Sequence, residues 1–360
     1  MVKAAVCRAF GAPLQIEDIT VAEPGPGEVR AKVSACAICH SDIHFAEGAW
    51  GGDLPAVYGH EAAGVVEAVG PGVSHVAPGD HVVITLVRAC GRCPCCTQGF
   101  YGSCETQFAL DEASPLADAE GKRLVHGLRT GAFAEAVLVE ASQAVAIPEA
   151  VPLDSAALLA CGVITGLGAV INTAKVRAGA DIVVIGSGGV GLNAVQGARL
   201  AGAGRIIAVD LSDDKLSAAE AFGATHGVNP SVEDLAATVR ALTGGRGADY
   251  VFVTVGAKAA VDGAYGLLAA GGALVLVGMP AVGETSAFEI VTLANDSKRI
   301  LGSKMGSSNI HDDIPRLVQL YRQGRLKLDE LISARYPLSE INEAIASAKG
   351  GAALRNVIVF

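Results

Sequence analysis

The sequence predicts an α/β protein with two parts: a doubly wound parallel sheet and a second, β-rich and barrel-like domain. Short apolar runs punctuated by Gly and Pro fill about the first 150 residues. From about residue 164, strand-like and helix-like runs alternate, which is the rhythm of a parallel sheet. A glycine-rich loop opens the first helical run of that second region. At 360 residues the chain is also too long for one simple core.

In the first region KAAVCRAF, EVRAKVSACAI, GVVEAVG, DHVVIT and AEAVLVE read as strands. In the second, DIVVIG is a near-continuous apolar strand, followed by the glycine loop and the helical run VGLNAVQGARLAG. RIIAVD is the next strand and DDKLSAAEAFG the next helix. THGVNP, ADYVFVTV, GALVLVG and RILGS continue the strand signals. Beyond about residue 304, IPRLVQLYRQG and LSEINEAIASAKG read as helices and NVIVF as a strand. Residues 156–171 and 269–283 are apolar but too short to span a bilayer, so they read as core.

Hydrophobic residues make up 51% and aromatics 4%, with 45 glycines, a composition suited to an enzyme with many tight βα turns. A net charge of −10 argues against nucleic acid as partner, because phosphates demand a basic surface. The first residues lack the apolar core of a secretory signal, so a cytoplasmic location without membrane attachment is expected.

Cys90, Cys93, Cys96 and Cys104 stand in a C-x2-C-x2-C-x7-C pattern. Four thiolates this close in sequence suit a closed tetrahedral zinc site. A disulfide framework fits poorly, since the total of nine cysteines is odd and the others are scattered. Cys95 adds a second thiol beside Cys96 and leaves open which one ligates; the spacing favours Cys96.

Gly186-Ser187-Gly188-Gly189-Val190-Gly191 fits G-x-G-x-x-G between a strand and a helix, the Rossmann dinucleotide-binding pattern. Gly186 permits the tight turn, Gly188 lets the backbone approach a pyrophosphate, and Gly191 lets the helix pack on the sheet. Asp210 ends the second strand, where it can accept from both ribose hydroxyls and repel a 2′-phosphate. NAD is therefore favoured over NADP. The plainer alternative makes Asp210 the N-cap of the following helix.

Cys39-His40-Ser41-Asp42, Gly59-His60-Glu61 and Cys161 remain. Two Cys and one His with an open fourth position suit catalytic zinc. Spacing alone does not join Cys161 to the other two, because a lone Cys in an apolar run is more often inert core. At this point CHSDIH, YGHEAAGVVEAVG, PGDHVV, the four-cysteine knuckle, CGVITGLGAV, GSGGVGL, IIAVDLSDDK and LRNVIVF can be taken together. In that order, over essentially the whole chain, the sequence resembles a zinc-dependent medium-chain alcohol dehydrogenase.

The resemblance implies a GroES-like catalytic domain over 1–163 and 304–360 around a Rossmann domain over 164–303. It implies two zinc ions, one at the knuckle and one on Cys39, His60 and Cys161. Asp42 would fix the tautomer of His60, and Glu61 would lie behind the metal. Ser41 would bond the alcohol, and His44 would complete a proton relay to solvent. His40, which is arginine in many relatives, and Arg355 would sit near the cofactor pyrophosphate. Lys215 would approach the adenosine ribose, and Thr165 and Val190 would pack at the nicotinamide end. Trp50, Leu86 and Met279 would line an apolar pocket suited to aromatic or medium-chain alcohols.

The implied reaction ionises the alcohol at zinc and transfers hydride to NAD, giving an aldehyde or ketone, and runs in reverse on the same parts. A homodimer or homotetramer is expected, with sheet pairing near Leu301. Two rivals remain. One is a glutathione-dependent formaldehyde dehydrogenase, which His40 suits but Trp50 and the short stretch between Cys104 and Phe133 suit less. The other is a non-catalytic zinc-binding scaffold protein, which would have damaged ligands at Cys39, His60, Cys161 and Ser41.

Overall fold

The computed structural model describes residues 1–351 and 353–360. The chain forms two compact units, Met1–Gly162 with Asn309–Phe360, and Val163–Ser308. The sequence reading divides the chain at 163/164 and 303/304. The second boundary falls later because residues 304–308 pack within the second unit. Thr173 Oγ1 shares hydrogen bonds with Ser303 Oγ at 2.9 Å and Ser307 Oγ at 2.8 Å, and the Ser308 hydroxyl donates to the Ile164 carbonyl at 3.4 Å.

The first unit is β-rich. Val2–Cys7, Gln15–Val21, Leu116–Asp118, Arg123–His126 and Ala56–Val57 close into a barrel. A seven-stranded sheet runs in the order Ala144–Ala146, His81–Thr85, Glu61–Val69, Glu28–Ala37, Arg355–Val359, Ile332–Pro337, and Ala136–Glu140 also pairs with Glu28–Ala37. Apolar residues from both sheets, among them Val33, Val66, Ile84, Val137 and Ile358, form one buried core. The strand Ile332–Pro337 escapes a sequence reading because its alternate residues are only half-buried and never build an apolar run.

In the second unit six strands run parallel, in the order His226–Val228, Arg205–Val209, Asp181–Ile185, Ala248–Val253, Leu268–Leu276, Arg299–Gly302. This is the doubly wound order, with the first strand of the unit at the centre. The centre is buried on both faces, which is why DIVVI and YVFV are near-continuous apolar runs. Of residues 269–283, the stretch to Leu276 completes a sheet strand, as expected of core, but Met279 and Val282 are exposed, because the chain has left the sheet by then. Among the described residues no single helix is long and apolar enough to cross a membrane; Leu153–Ala160 with Gly162–Thr173 pass only as a bent pair, by length and composition. All nine cysteines are free thiols.

His126, at the end of its barrel strand, has both ring nitrogens buried without a hydrogen-bond partner among the described residues. Burial, helped by the nearby Arg88 guanidinium, pushes its pKa down to about 4. The folded state thus refuses a proton that the unfolded state accepts. Stability from this source is complete above the ordinary histidine value of 6.5 and is lost as pH falls towards about 4. His126→Leu should make the urea midpoint less acid-sensitive than wild type across that window. Parallel curves for the two proteins would show that His126 is not held neutral.

Candidate active site

Strand register builds the first cluster. Ala37 pairs with Glu61, so Cys39 and His60 leave the sheet at the same end. On the other flank Val357 pairs with Ala37 in antiparallel fashion, which brings Arg355 up beside Cys39. Cys161 enters from the turn that follows Leu158–Ala160. The ligand atoms of Cys39, His60, Glu61 and Cys161 all lie within 4.8 Å of one another, and all four residues are buried.

One carboxylate orders this group. Asp42, 1% exposed, is the third residue of the helix His40–Ala46 and reaches back to accept from the Cys39 N–H at 3.1 Å. Its other oxygen accepts from the Gly59 N–H at 2.9 Å and from His60 Nδ1 at 2.9 Å. An ionised carboxylate only accepts, so Nδ1 carries the ring proton. Titration and metal binding are then left to Nε2, which is buried and has no hydrogen-bond partner among the described residues. An orphaned imidazole nitrogen beside two thiols is a donor set that fits zinc, and two thiolates balance a divalent charge.

Among the protein groups alone, the hydrogen bond from Cys161 holds the Cys39 thiol well below its usual range, while Cys161 itself is pushed well up. Burial works against a charge on His60, but Asp42 and Cys39 together push it well up. A divalent cation bound at Nε2 would compete with a proton there. Burial raises Glu61 to about 7 against the opposing pull of Arg355.

Arg355, 7% exposed and expected near the cofactor phosphates, is the ion-pair partner of Glu61 at 2.5 Å. Glu61 Oε2 also accepts from the Gly162 N–H at 3.3 Å. A Cβ on Gly162 would stand 2.8 Å from Arg355 Nη1, so a side chain after Cys161 would push against the guanidinium paired with Glu61. Sequence reasoning missed Gly162, and only its place directly after the candidate ligand signals it. Buried Arg88 was missed too. It donates to Gln143 at 2.8 Å and to Asp111 at 2.9 Å, tying the short 104–133 stretch to the end of strand His81–Thr85.

Ser41 and His44 lie one helical turn apart on His40–Ala46, both half-buried, while His40 is exposed. Trp50 and Leu86 belong to the same unit and are half-buried. Thr165 and Met279 belong to the second unit, where Thr165 donates to Met305 Sδ at 3.7 Å and Met279 is exposed.

The knuckle gathers Cys90, Cys93, Cys96 and Cys104, again within 4.8 Å. Backbone N–H groups point at the sulfurs: Arg92 and Cys93 donate to Cys90 at 3.4 and 3.3 Å, and Cys96 to Cys93 at 3.5 Å. Cys95 instead donates to Glu105 at 3.3 Å and stands outside the cluster. Its position is explained by the short helix Pro94–Thr97, which turns neighbouring side chains in different directions.

In the second unit Gly186 adopts φ +96°, and a Cβ there would meet Val255 at 2.4 Å. A Cβ on Gly191 would stand 1.7 Å from the Gly186 carbonyl, so the helix packs directly on the turn. Gly188 has nothing within 4 Å of a Cβ, so the protein's own packing does not require glycine there. Space kept open at the uncapped N-terminus of Gly189–Leu200 is what a bound phosphate needs. Val190 lies in the first turn of that helix. Asp210 accepts from the Ser187 N–H at 2.7 Å and the Ser212 N–H at 3.1 Å. The N-cap of Asp213–Phe222 is Ser212, which accepts from the Lys215 N–H at 3.4 Å, so Asp210 is not the cap.

Two family profiles match parts of the chain. One described as an alcohol dehydrogenase GroES-like domain matches residues 25–149, and one described as a zinc-binding dehydrogenase matches 189–323. The chain is 38% identical over 371 residues to an NDMA-dependent alcohol dehydrogenase of Amycolatopsis methanolica, spanning 99% of this chain and 98% of that one. It is 39% identical over 365 residues to a probable S-(hydroxymethyl)glutathione dehydrogenase of Schizosaccharomyces pombe, spanning 99% and 96%. Among solved structures, benzyl alcohol dehydrogenase from Acinetobacter calcoaceticus superposes with a TM-score of 0.93 at 33% identity, covering 100% and 99% of the two chains. Fold and site define a zinc-binding oxidoreductase of the medium-chain class. The chain belongs to the zinc-dependent alcohol dehydrogenase family.

Cys161→Ser should cost one equivalent of bound zinc and lower turnover more than about 100-fold, beyond what loss of an outer hydrogen-bond partner costs. The fold should survive by circular dichroism; wild-type zinc content would remove Cys161 from the ligand set. Asp210→Gly should relax discrimination between NAD and NADP, read as the ratio of kcat/KM values. An unchanged ratio would take Asp210 out of the cofactor site.

Proposed function

We propose that the chain oxidises hydrophobic primary alcohols, aromatic or medium-chain, to aldehydes with NAD and two zinc ions, and catalyses the reverse reduction. The observation that carries this reading is the buried Cys39–His60–Cys161 cluster with its orphaned His60 Nε2. When bound there, zinc supplies Lewis-acid polarisation of the alcohol oxygen, and the nicotinamide accepts hydride. Ser41 would accept the hydroxyl proton while giving its own to the nicotinamide-ribose hydroxyl, and His44 would accept from that hydroxyl and release a proton to solvent, since a buried alcohol has no water to ionise into. Asp42, bonded to His60 Nδ1, would leave Nε2 free to hold the metal. Gly186, Gly188 and Gly191 shape the pyrophosphate turn, and Asp210 holds the adenosine ribose. The knuckle is assigned a structural zinc.

Trp50 and Leu86 support an apolar alcohol, as does the likeness to a benzyl alcohol dehydrogenase. The S-(hydroxymethyl)glutathione dehydrogenase relative supports a second reading, oxidation of the formaldehyde–glutathione adduct. For assembly we infer pairing of two copies along the edge strand Arg299–Gly302, which holds Leu301; Phe288, Ile290 and Val291 are exposed apolar residues in the same unit. A reducing cytoplasm would keep the free cysteines available for metal.

Zinc per chain should be measured on the sample assayed for NAD⁺ reduction with benzyl alcohol, hexanol and formaldehyde plus glutathione. Two zincs with fastest turnover on benzyl alcohol or hexanol are expected. Turnover confined to the glutathione adduct would replace the first reading with the second, and two zincs with no turnover on any of the three would sink both.

A further inference from the structure

The chain's only tryptophan follows the helix that carries Ser41 and His44. A tight turn folds it back. The Ala49 N–H donates to the His44 carbonyl at 2.9 Å, and the Gly48 N–H to the Phe45 carbonyl at 3.0 Å. Gly48 sits at φ +77°, a conformation that costs glycine little. The indole centroid ends 5.0 Å from the His44 imidazole, tilted by 36°. Phe45 meets the indole edge-on at 5.3 Å and itself stacks on Tyr58 at 6.0 Å. Four rings therefore pack in series, His44–Trp50–Phe45–Tyr58, and the last is two residues from His60.

We propose that Trp50 is a positioning residue for proton transfer: its indole holds the His44 imidazole in the orientation that relays a proton. The inference rests on the relay reading of Ser41 and His44. An imidazole turns freely about its last side-chain torsion, which is broad and roughly two-fold. A relay needs one ring nitrogen facing inward and the other facing water. Half-buried His44 has a ring packed against it that is itself braced by Phe45. A residue serving only as an apolar wall has no need of contact with the histidine. An aromatic contact of this kind biases a rotamer about threefold to tenfold, and the rate of proton transfer should follow that bias.

The test uses the zinc-loaded enzyme with NAD⁺ and benzyl alcohol at one pH, reading the first-turnover rate of NADH formation and the KM for alcohol. The proteins are wild type, Trp50→Leu, Trp50→Phe, His44→Gln and the double variant Trp50→Leu/His44→Gln. Trp50→Leu should lower the rate about threefold to tenfold, Trp50→Phe should restore most of it, and Trp50→Leu should cost nothing further once His44 is gone. An equal loss in both backgrounds, or a change in KM alone, would show that Trp50 acts as a wall and overturn the proposal. If His44→Gln turns over like wild type, the relay reading fails and this inference falls with it. Tryptophan emission separates the two failures, because the sole indole reports on its neighbour. A changed spectrum in His44→Gln would mean that the rings do pack and that only the relay is wrong. An unchanged spectrum would mean that the contact itself is absent.

Discussion

A single buried carboxylate carries the geometry of the catalytic unit. Asp42 accepts three hydrogen bonds, from the Cys39 N–H, the Gly59 N–H and His60 Nδ1. Each ties down a different thing: the start of a helix, a loop, and a ring tautomer. A buried charge is tolerable only when such donors surround it. The loop it grips is also bolted to the rest of the unit. The Phe133 N–H donates to the Tyr58 carbonyl at 2.8 Å, and the Ala132 N–H to the Gly59 carbonyl at 2.9 Å. The orphaned nitrogen of His60 is thus positioned by the sheet through one side chain.

The two cysteine clusters solve the same ligand problem differently. The knuckle is local. Its four thiols lie within one short segment, Cys96 buried and the others half-buried, and closing such a loop costs little chain entropy. The second cluster draws on three distant segments and is wholly buried. It needs strand register, a helix cap and the Glu61–Arg355 pair to hold it. Such a cluster is held in place by the fold rather than by its own loop.

The cofactor loop shows a similar economy. Gly186 and Gly191 are demanded by the protein's own packing, whereas Gly188 is not. At the start of a helix, that leaves backbone N–H groups open to approach. The loop lies at the end of the central strand Asp181–Ile185, which separates the two halves of the doubly wound sheet.

What could be read from the sequence was whatever depends on neighbours along the chain. The knuckle spacing, the glycine loop, the alternating strands and helices, and Asp210 at a strand end all express local backbone requirements. DIVVIG and RIIAVD became strands within a residue of where their patterns end. Where patterns were weak, as in Ile332–Pro337, the strand was invisible. Cys161 joined its partners only through family likeness, because an apolar run says nothing about which thiol it will meet. Arg355 on Glu61, Cys95 on Glu105 and Trp50 on His44 were decided by the tertiary structure alone. The reason is physical: strand register and helix phase set which side chains converge, and a residue's identity constrains its own chemistry but not its distant neighbour.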